Sequence, residues 1–459
     1  GFFSSEDRGE TWTQSNLYHQ RINRLLAISP AFEDDGLVLV GNYGGGPMFW
    51  DERTDEWSVR ADGIRSLYCG ILTPSPAFAD DRTIFYGYMG TWRSDDAGAT
   101  WTQITPYDAI TRSIAISPEF AEDGFVILNR AQAGTWRSND RGDTWTEVTG
   151  LPKGRVNELA VSPGFPADPV VYAAPAQEGL FVSTDGGESF APLAGALDGA
   201  NVRTLALSPD FGRDGVILAG TVDHGLFRSE DRGETFVRVD TPSGEEDTLE
   251  SLAFSPAFGT DGVVYAVSLY DGVLASVDGG RSFRPRNAGL PHDAKRMIAV
   301  SPAFARDRTL YVSTHAWTWR STNGAGSWEI LPGHLRVDDH HHTVERTGSW
   351  RVEYLPDDFA GGTNVSDQPG AIETFRFYGR TVTWFARVDR DCGAAAVHLD
   401  GQFVRLVDLH GSERATNRPV FSHTFDAPGW HRIDVRVTGK KHPGSKGFAV
   451  HSDGYAHDF

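Results

Sequence analysis

Apolar and polar positions alternate along this chain in short runs separated by turn-forming residues. Residues 203 to 239 show the pattern in full: RTLALSP and VILAGT, divided by DFGRDG, are followed by VDHG and then by LFRS and TFVRV on either side of EDRGE. A period of two within such runs predicts half-buried strands, and clusters of Gly, Asp and Pro between them predict tight turns. The segment therefore reads as four antiparallel strands. No stretch of the sequence shows the i, i+3, i+4 apolar stripe of an amphipathic helix.

The same unit returns at a nearly fixed interval. The tetrapeptide S-P-x-F occurs seven times, with its proline at Pro30, Pro76, Pro118, Pro163, Pro209, Pro256 and Pro302, at spacings of 42 to 47 residues. A hairpin of the form S-x-D-x-G-x-T/S-W/F keeps step with it. Its acidic position falls at Asp7, Asp96, Asp140, Asp185, Asp231 and Asp278, becomes an amide at Asn323, and is Glu52 in the copy WDERTDEW at 50–57, which lacks both Ser and Gly. Four strands in about 45 residues is the unit of a propeller blade, which predicts an all-β, multi-bladed β-propeller over residues 1–335. Eight hairpins against seven S-P-x-F pairs predict eight blades, the first incomplete because its inner strands precede this sequence. Seven blades, with the ring closed by a C-terminal segment, is the alternative.

The hairpin copies SEDRGETW, SDDAGATW, SNDRGDTW, STDGGESF, SEDRGETF and SVDGGRSF, with the weakened STNGAGSW, resemble the Asp-box (BNR) repeat of sialidases, sortilin-type receptors and photosystem-assembly-type propellers. The turn has its own physical logic. The carboxylate accepts backbone N–H bonds across the turn, the glycine takes positive φ, and the aromatic residue packs between blades. Asp7, Asp96, Asp140, Asp185, Asp231 and Asp278 are accordingly read as structural. The box occurs in proteins of many functions, so it speaks to fold and not to activity.

Charge narrows the partners. A formal net charge of −20 and a pI near 5.1 argue against nucleic acid and anionic lipid, both of which need clustered Lys and Arg. No run approaches the ~18 apolar residues of a membrane helix. Cys69 and Cys392, the two cysteines, fall in different domains, so no disulfide framework is expected. The sequence begins in mid-motif, as a processed chain or a piece of a longer chain or assembly would.

In a blade, the A–B and C–D connections share one face and the B–C and D–A connections the other. The S-P-x-F turns and hairpins should therefore lie together, leaving the opposite face free to vary. The residue six before each motif proline opens the innermost strand on that variable face: Arg24, Gly70, Arg112, Asn157, Arg203, Glu250 and Arg296. Four guanidiniums there would suit a carboxylate ligand; pairing with Glu158, Glu250 or carbonyls between blades is the structural alternative. The B–C turns add Tyr43, Tyr88, Tyr270 and His315, aromatic planes suited to sugar rings or to blade packing.

After a linker at 336–347 the repeat stops. Longer alternating strands follow at 374–388, 395–409 and 431–439, with Ile433, Val435 and Val437 on one face and Arg432, Asp434 and Arg436 on the other. The segment 348–459 resembles galactose-binding-like jelly-roll β-sandwich modules of secreted bacterial carbohydrate-active proteins. That resemblance implies glycan attachment, with Trp350, Tyr378, Trp430 and Tyr455 as a candidate sugar platform. DDHHH at 338–342 invites a metal reading, but neighbours in an extended segment point in alternating directions, so no metal site and no cofactor is expected.

These features imply a secreted or cell-surface, non-catalytic binding or assembly propeller with a glycan-binding tail. Its partner would be a glycan or polysaccharide, or a protein at the propeller face. Two alternatives follow from the same residues. One is a sialidase-like exo-glycosidase acting on acidic glycans, with Arg24, Arg112, Arg203 and Arg296 holding the substrate carboxylate. The other is a structural component of a larger extracellular assembly.

Overall fold

The computed structural model describes residues 2–4, 13–15, 22–43, 46–54, 56–65, 68–195, 197–290, 295–314, 318–331, 334–337, 344–354 and 362–457. By contact the chain separates into two units: residues 20–48 with 63–331, and residues 1–19 with 49–62 and 332–459.

Six four-stranded antiparallel sheets, preceded by four strands of a larger sheet, follow one another as seven blades. Strand A of blades 1 to 7 is Ile22–Ile28, Ile71–Pro74, Ile110–Ile116, Val156–Val161, Val202–Leu207, Leu249–Phe254 and Lys295–Val300. Blade 5 continues through Ile217–Thr221, Leu226–Ser229 and Val237–Val239 as strands B, C and D, the segmentation expected from its sequence. In blade 1 the residues from Phe49 onward count with the second unit.

The count is seven, not the eight expected. The opening hairpin, Phe2–Ser4 with Thr13–Ser15, pairs with itself as a two-stranded sheet instead of forming the outer half of a blade. Strand A of blade 7 packs beside strand A of blade 1, which closes the ring. Only inner strands surround the axis, so the number of S-P-x-F motifs, and not of hairpins, sets the blade number.

Serine–aspartate locks hold the connections on the shared face, one in the S-P-x-F turn of every blade and a second in the hairpins of blades 2 to 6. In every blade the serine of S-P-x-F donates from Oγ to an aspartate six residues later, at 2.5–2.8 Å: Ser29 to Asp35, Ser75 to Asp81, Ser117 to Asp123, Ser162 to Asp168, Ser208 to Asp214, Ser255 to Asp261 and Ser301 to Asp307. In six blades a single helical turn lies between them, ended by a left-handed residue, as at Gly215 (φ 61°). The hairpin carries the second lock. In blade 3, Ser138 Oγ donates to Asp140 Oδ1 at 2.6 Å, and Asp140 also accepts from the backbone N–H and hydroxyl of Thr144. In blade 7 Asn323 keeps the same geometry, accepting from Ser321 and Ser327 N–H and donating from Nδ2 to Ser327 Oγ. Backbone bonds such as Arg141 N–H to Gly124 O (2.9 Å) and Arg232 N–H to Gly215 O (3.0 Å) tie the two turns together, so both lie on one face.

The cores lie between blades. Phe125, Ile127, Val156, Leu159, Val171 and Phe190 form one between blades 3 and 4. Val263, Tyr265, Val273, Ile298, Leu310 and Val312 form another between blades 6 and 7. The hairpin tryptophans reach back to the preceding blade: Trp145 Nε1 donates to Ile104 O at 3.2 Å and Trp328 Nε1 to Arg286 O at 2.7 Å.

In the second unit a single curled sheet runs His334–Val337, Val450–His457, Ile372–Val388, Ala415–Lys440, Ala394–Leu399 and Gln402–Asp408, in that spatial order. Strand Glu56–Val59 extends it, parallel to His334–Val337. This is a half-barrel rather than the expected two-sheet jelly roll. The strands of 17 and 26 residues stay paired through three register shifts, so the sheet bends at bulges without splitting. Residues 336–347, expected as a linker, include part of one sheet strand and the whole of Val344–Thr347, paired to Ile372–Phe375.

Ser138 and Thr144 donate to the Asp140 carboxyl and hold it at about 2, below its usual 3.8. A carboxyl so depressed contributes stability above its unfolded pKa that is lost as pH falls from about 4 towards 2. Asp140→Ala is expected to destabilise the blade by about 1 kcal/mol, the scale of an exposed, solvent-screened turn lock. Asp140→Asn should keep most of that stability at neutral pH and lose less of it in acid than the parent, as read by thermal melts. Equal acid dependence in parent and Asn variant would refute the titration of this turn.

Candidate functional site

In six of the seven blades the position six residues before the motif proline is a β-bulge. Register shifts fall between Asn23 and Leu25, Thr111 and Ser113, Val156 and Glu158, Val202 and Thr204, Leu249 and Ser251, and Lys295 and Met297. Arg24, Arg112, Asn157, Arg203, Glu250 and Arg296 are thus residues the ladder leaves unpaired, at the end of strand A away from the locks. In blade 2 the same position is Gly70, just before the strand. A Cβ there would come within 2.6 Å of Thr111 O, which is why a glycine stands at this point.

Neighbouring blades meet at these bulges, and the meeting is partly structural. Arg203 donates from Nε and Nη2 to Glu250 Oε2 at 3.0 and 2.6 Å, with the Glu250 side chain only 7% exposed. Asn157 Nδ2 donates to Val202 O at 2.7 Å. Arg203 and Glu250 are therefore partners and do not both stand open to a ligand. Arg112 differs: its guanidinium lies 6.0 Å from the centroid of Tyr88, and its Nε is buried with no hydrogen-bond partner among the described residues. Tyr88 in turn packs on Tyr68, centroids 5.6 Å apart, and Tyr68 is 46% exposed. Tyr270 stands out at 64% exposure on the B–C turn of blade 6. The side chains of Arg24, Tyr43 and Arg296, all of His315, and Asp7 lie outside the described residues, as does DDHHH.

Beside the blade 4 bulge, Glu158 is half-buried, and burial pushes its carboxyl up to about 8.

The second unit carries a surface concavity of about 360 Å³ lined by Arg376, Asp400, Trp430, His431 and Arg432. Strand register builds it. Arg376 pairs across the sheet with Arg432, and Tyr378 with Trp430, on adjacent strands whose intervening residues Phe375, Phe377 and Ile433 are buried. Trp430 is 63% exposed, the most exposed tryptophan or phenylalanine among the described residues. Asp400, at the end of the next strand, accepts from His431 Nδ1 at 2.9 Å and from Arg432 N–H at 2.8 Å, which fixes the turn against the platform. An exposed indole beside a fixed carboxylate and two guanidiniums offers a sugar a flat apolar face and directional polar partners.

Of the tail aromatics expected as a platform, Trp430 is the one whose described side chain lines this concavity. Tyr455 is fully buried: its hydroxyl donates to Glu373 Oε1 at 2.8 Å and its ring stacks on Phe375, so it belongs to the core. Trp350 is half-buried and donates from Nε1 to Thr347 O. Tyr378 holds the register position opposite Trp430; its side chain is outside the described residues. Sequence reading missed Arg376, Asp400 and His431. The alternation in HRIDVRV signalled an outward Arg432, but nothing local indicates that Arg376 is its neighbour. Among the described residues no cluster of three His, Cys, Asp or Glu side chains is placed to hold a metal ion, and no helix is long and apolar enough to cross a membrane.

No family model matches the chain. Two curated relatives from Flavonifractor plautii share short segments with it. A type blood N-acetyl-alpha-D-galactosamine deacetylase is 28% identical over 110 residues, 24% of this chain and 14% of that protein. A type blood alpha-D-galactosamine galactosaminidase is 29% identical over 104 residues, 23% of this chain and 10% of that protein. Among solved structures, the GH74 xyloglucanase from Xanthomonas campestris is similar with a TM-score of 0.55 at 20% identity, covering 75% of this chain and 58% of that one. The Niastella koreensis GH74 enzyme gives 0.54 at 13%, covering 77% and 65%. At these identities the likeness is one of fold.

Two outcomes are expected at the bulge ring. The Glu158 carboxyl is raised in the folded chain from 4.5 to about 8, so the parent loses stability as pH rises through that interval. Glu158→Gln, which cannot ionise, should overtake the parent in thermal melts by about pH 8, and a constant offset between the two at all pH values would contradict the shift. Arg203→Ala takes the guanidinium from the buried Glu250 carboxylate and should cost about 2 kcal/mol in denaturant titration, against less than about 0.5 kcal/mol for Arg112→Ala.

Proposed function

We propose that this chain is a carbohydrate-binding propeller protein, secreted or displayed at a cell surface, which holds glycan through the Trp430 concavity and offers its variable propeller face as a non-catalytic binding surface. The observation that carries the reading is Trp430 itself: a large indole left in water on a sheet face, framed by Asp400, Arg376 and Arg432. Burying such a ring elsewhere in the fold would release it from water, whereas a pyranose stacked on it does so only when ligand is present.

The curated relatives support the same direction. A deacetylase and a galactosaminidase perform different chemistries, yet each shares about a hundred residues with this chain, a small part of its own length. A module for holding sugar explains such sharing better than a catalytic core does. The serine–aspartate hairpins support the finer assignment to Asp-box propellers. On the propeller, Arg112 with Tyr88 and Tyr68 is the strongest second ligand surface.

An exo-glycosidase is the second reading, favoured by one feature, the Glu158 carboxyl pushed up by burial, as a glycosidase's general acid is. Against it, Arg203 is engaged by Glu250, which weakens an arginine trio for a substrate carboxylate.

Glycan-array binding by the full chain should be saturable and fall at least tenfold in Trp430→Ala with the fold intact by circular dichroism. A platform of this kind is worth about 1–2 kcal/mol, consistent with that loss. No glycan bound, or binding indifferent to Trp430→Ala, would remove the site. Turnover of chromogenic glycosides by the parent, abolished by Glu158→Gln, would replace the binding reading with the enzymatic one.

A further inference from the structure

We infer that the Trp430 concavity selects a saccharide carrying an anionic group, a carboxylate or a sulfate, held between Arg376 and Arg432. The inference rests on the glycan-binding reading of that site and adds the chemical class of its ligand.

The argument starts from register. Arg376 and Arg432 are direct cross-strand partners, and both line the concavity. Like charges placed opposite one another in a sheet repel, and sheets ordinarily pair such positions with opposite charges. Here the neighbouring carboxylates do little for Arg376. Glu345 comes only to 3.8 Å from its Nη2, with both side chains more than 40% exposed. Asp434 serves Arg432 and not Arg376: its Oδ1 accepts from Thr374 at 2.8 Å, and its Oδ2 faces Arg432 at 3.1 Å and Arg436 at 3.9 Å. Asp400 is turned to His431 Nδ1 and Arg432 N–H. Arg432 thus has Asp434 within 3.1 Å, whereas Arg376, facing it across the strands, has one exposed carboxylate at 3.8 Å, on a chain whose net charge is −20.

Hydrogen bonding gives a second, independent pointer. The Nε atom of Arg432, which lines the concavity, is buried with no acceptor among the described residues. A buried N–H left without an acceptor is costly, and a guanidinium binds best when its fork meets two oxygens of one planar or tetrahedral anion. An acidic sugar stacked on Trp430 would bring such oxygens to the arginines while its hydroxyls reach the Asp400 carboxylate. A neutral sugar satisfies the indole and Asp400 and leaves the two facing positive charges as they are.

Full-length chain applied to an array of neutral, uronic-acid, sialylated and sulfated oligosaccharides tests this, followed by calorimetry on the best acidic hit and its uncharged counterpart, the methyl ester or the desulfated sugar. The acidic form should bind at least tenfold more tightly at low salt, with the advantage shrinking as ionic strength rises. Arg376→Gln and Arg432→Gln should erase the preference while leaving the weaker binding of the uncharged form, and Trp430→Ala should reduce both. Carboxylated hits and sulfated hits would each support the inference and distinguish the group recognised. Equal affinity for charged and uncharged forms, or a preference unchanged in both glutamine variants, would overturn the inference and leave the glycan-binding reading standing. No binding to any sugar on the array would overturn both. Arg376→Lys, which keeps charge but not the fork, provides a folded control and should retain part of the preference.

Discussion

Every blade depends on closing its connections in water without leaving backbone groups unpaired, and a serine facing an aspartate does this once in each repeat and twice in blades 2 to 6. In the S-P-x-F turn the two lie six residues apart, and in the hairpin two apart. Each aspartate also receives backbone N–H groups that the turn would otherwise leave open. Because the locks are local and repeated, the rest of each blade is released to pack against its neighbours, and the cores form between blades rather than within them.

Much of this was legible in the sequence because it is local. Strand periodicity, the turn residues and the fixed interval between Pro30 and Pro302 specify a ring of four-stranded blades. The count was not, because a hairpin at 2–15 with the right residues is indistinguishable from half a blade until its pairing is known. The aspartate of the first lock was equally hidden: Asp214 and its equivalents read as generic turn residues, and their role appears only with the bond to Ser208.

The candidate sites divide in the same way. The position that sequence reading marked as the opening of strand A is special, but as a bulge, and bulges depend on pairing between strands rather than on side-chain pattern. Pairing also decided which of the marked arginines remained open: Arg203 is matched by Glu250 forty-seven residues later, whereas the bulge neighbour on one side of Arg112 is a glycine without a side chain. In the C-terminal sheet, Trp430 and Tyr455 were equivalent as aromatic residues in strands. Burial beside Glu373 separates one from the other. Arg376 and Arg432 are fifty-six positions apart and become neighbours only through the register of two long strands.

The parallel pairing of Glu56–Val59 with His334–Val337 has a consequence for how the chain is made. Nearly three hundred residues separate the two strands, so at ribosomal rates of about 5–20 residues per second the earlier one waits roughly fifteen seconds to a minute for its partner. During that interval an extended segment bearing Trp57 presents unsatisfied N–H and C=O groups to the surroundings, the kind of edge on which nascent chains aggregate. Biosynthesis of this protein is thus exposed to a timing hazard that the finished fold no longer shows.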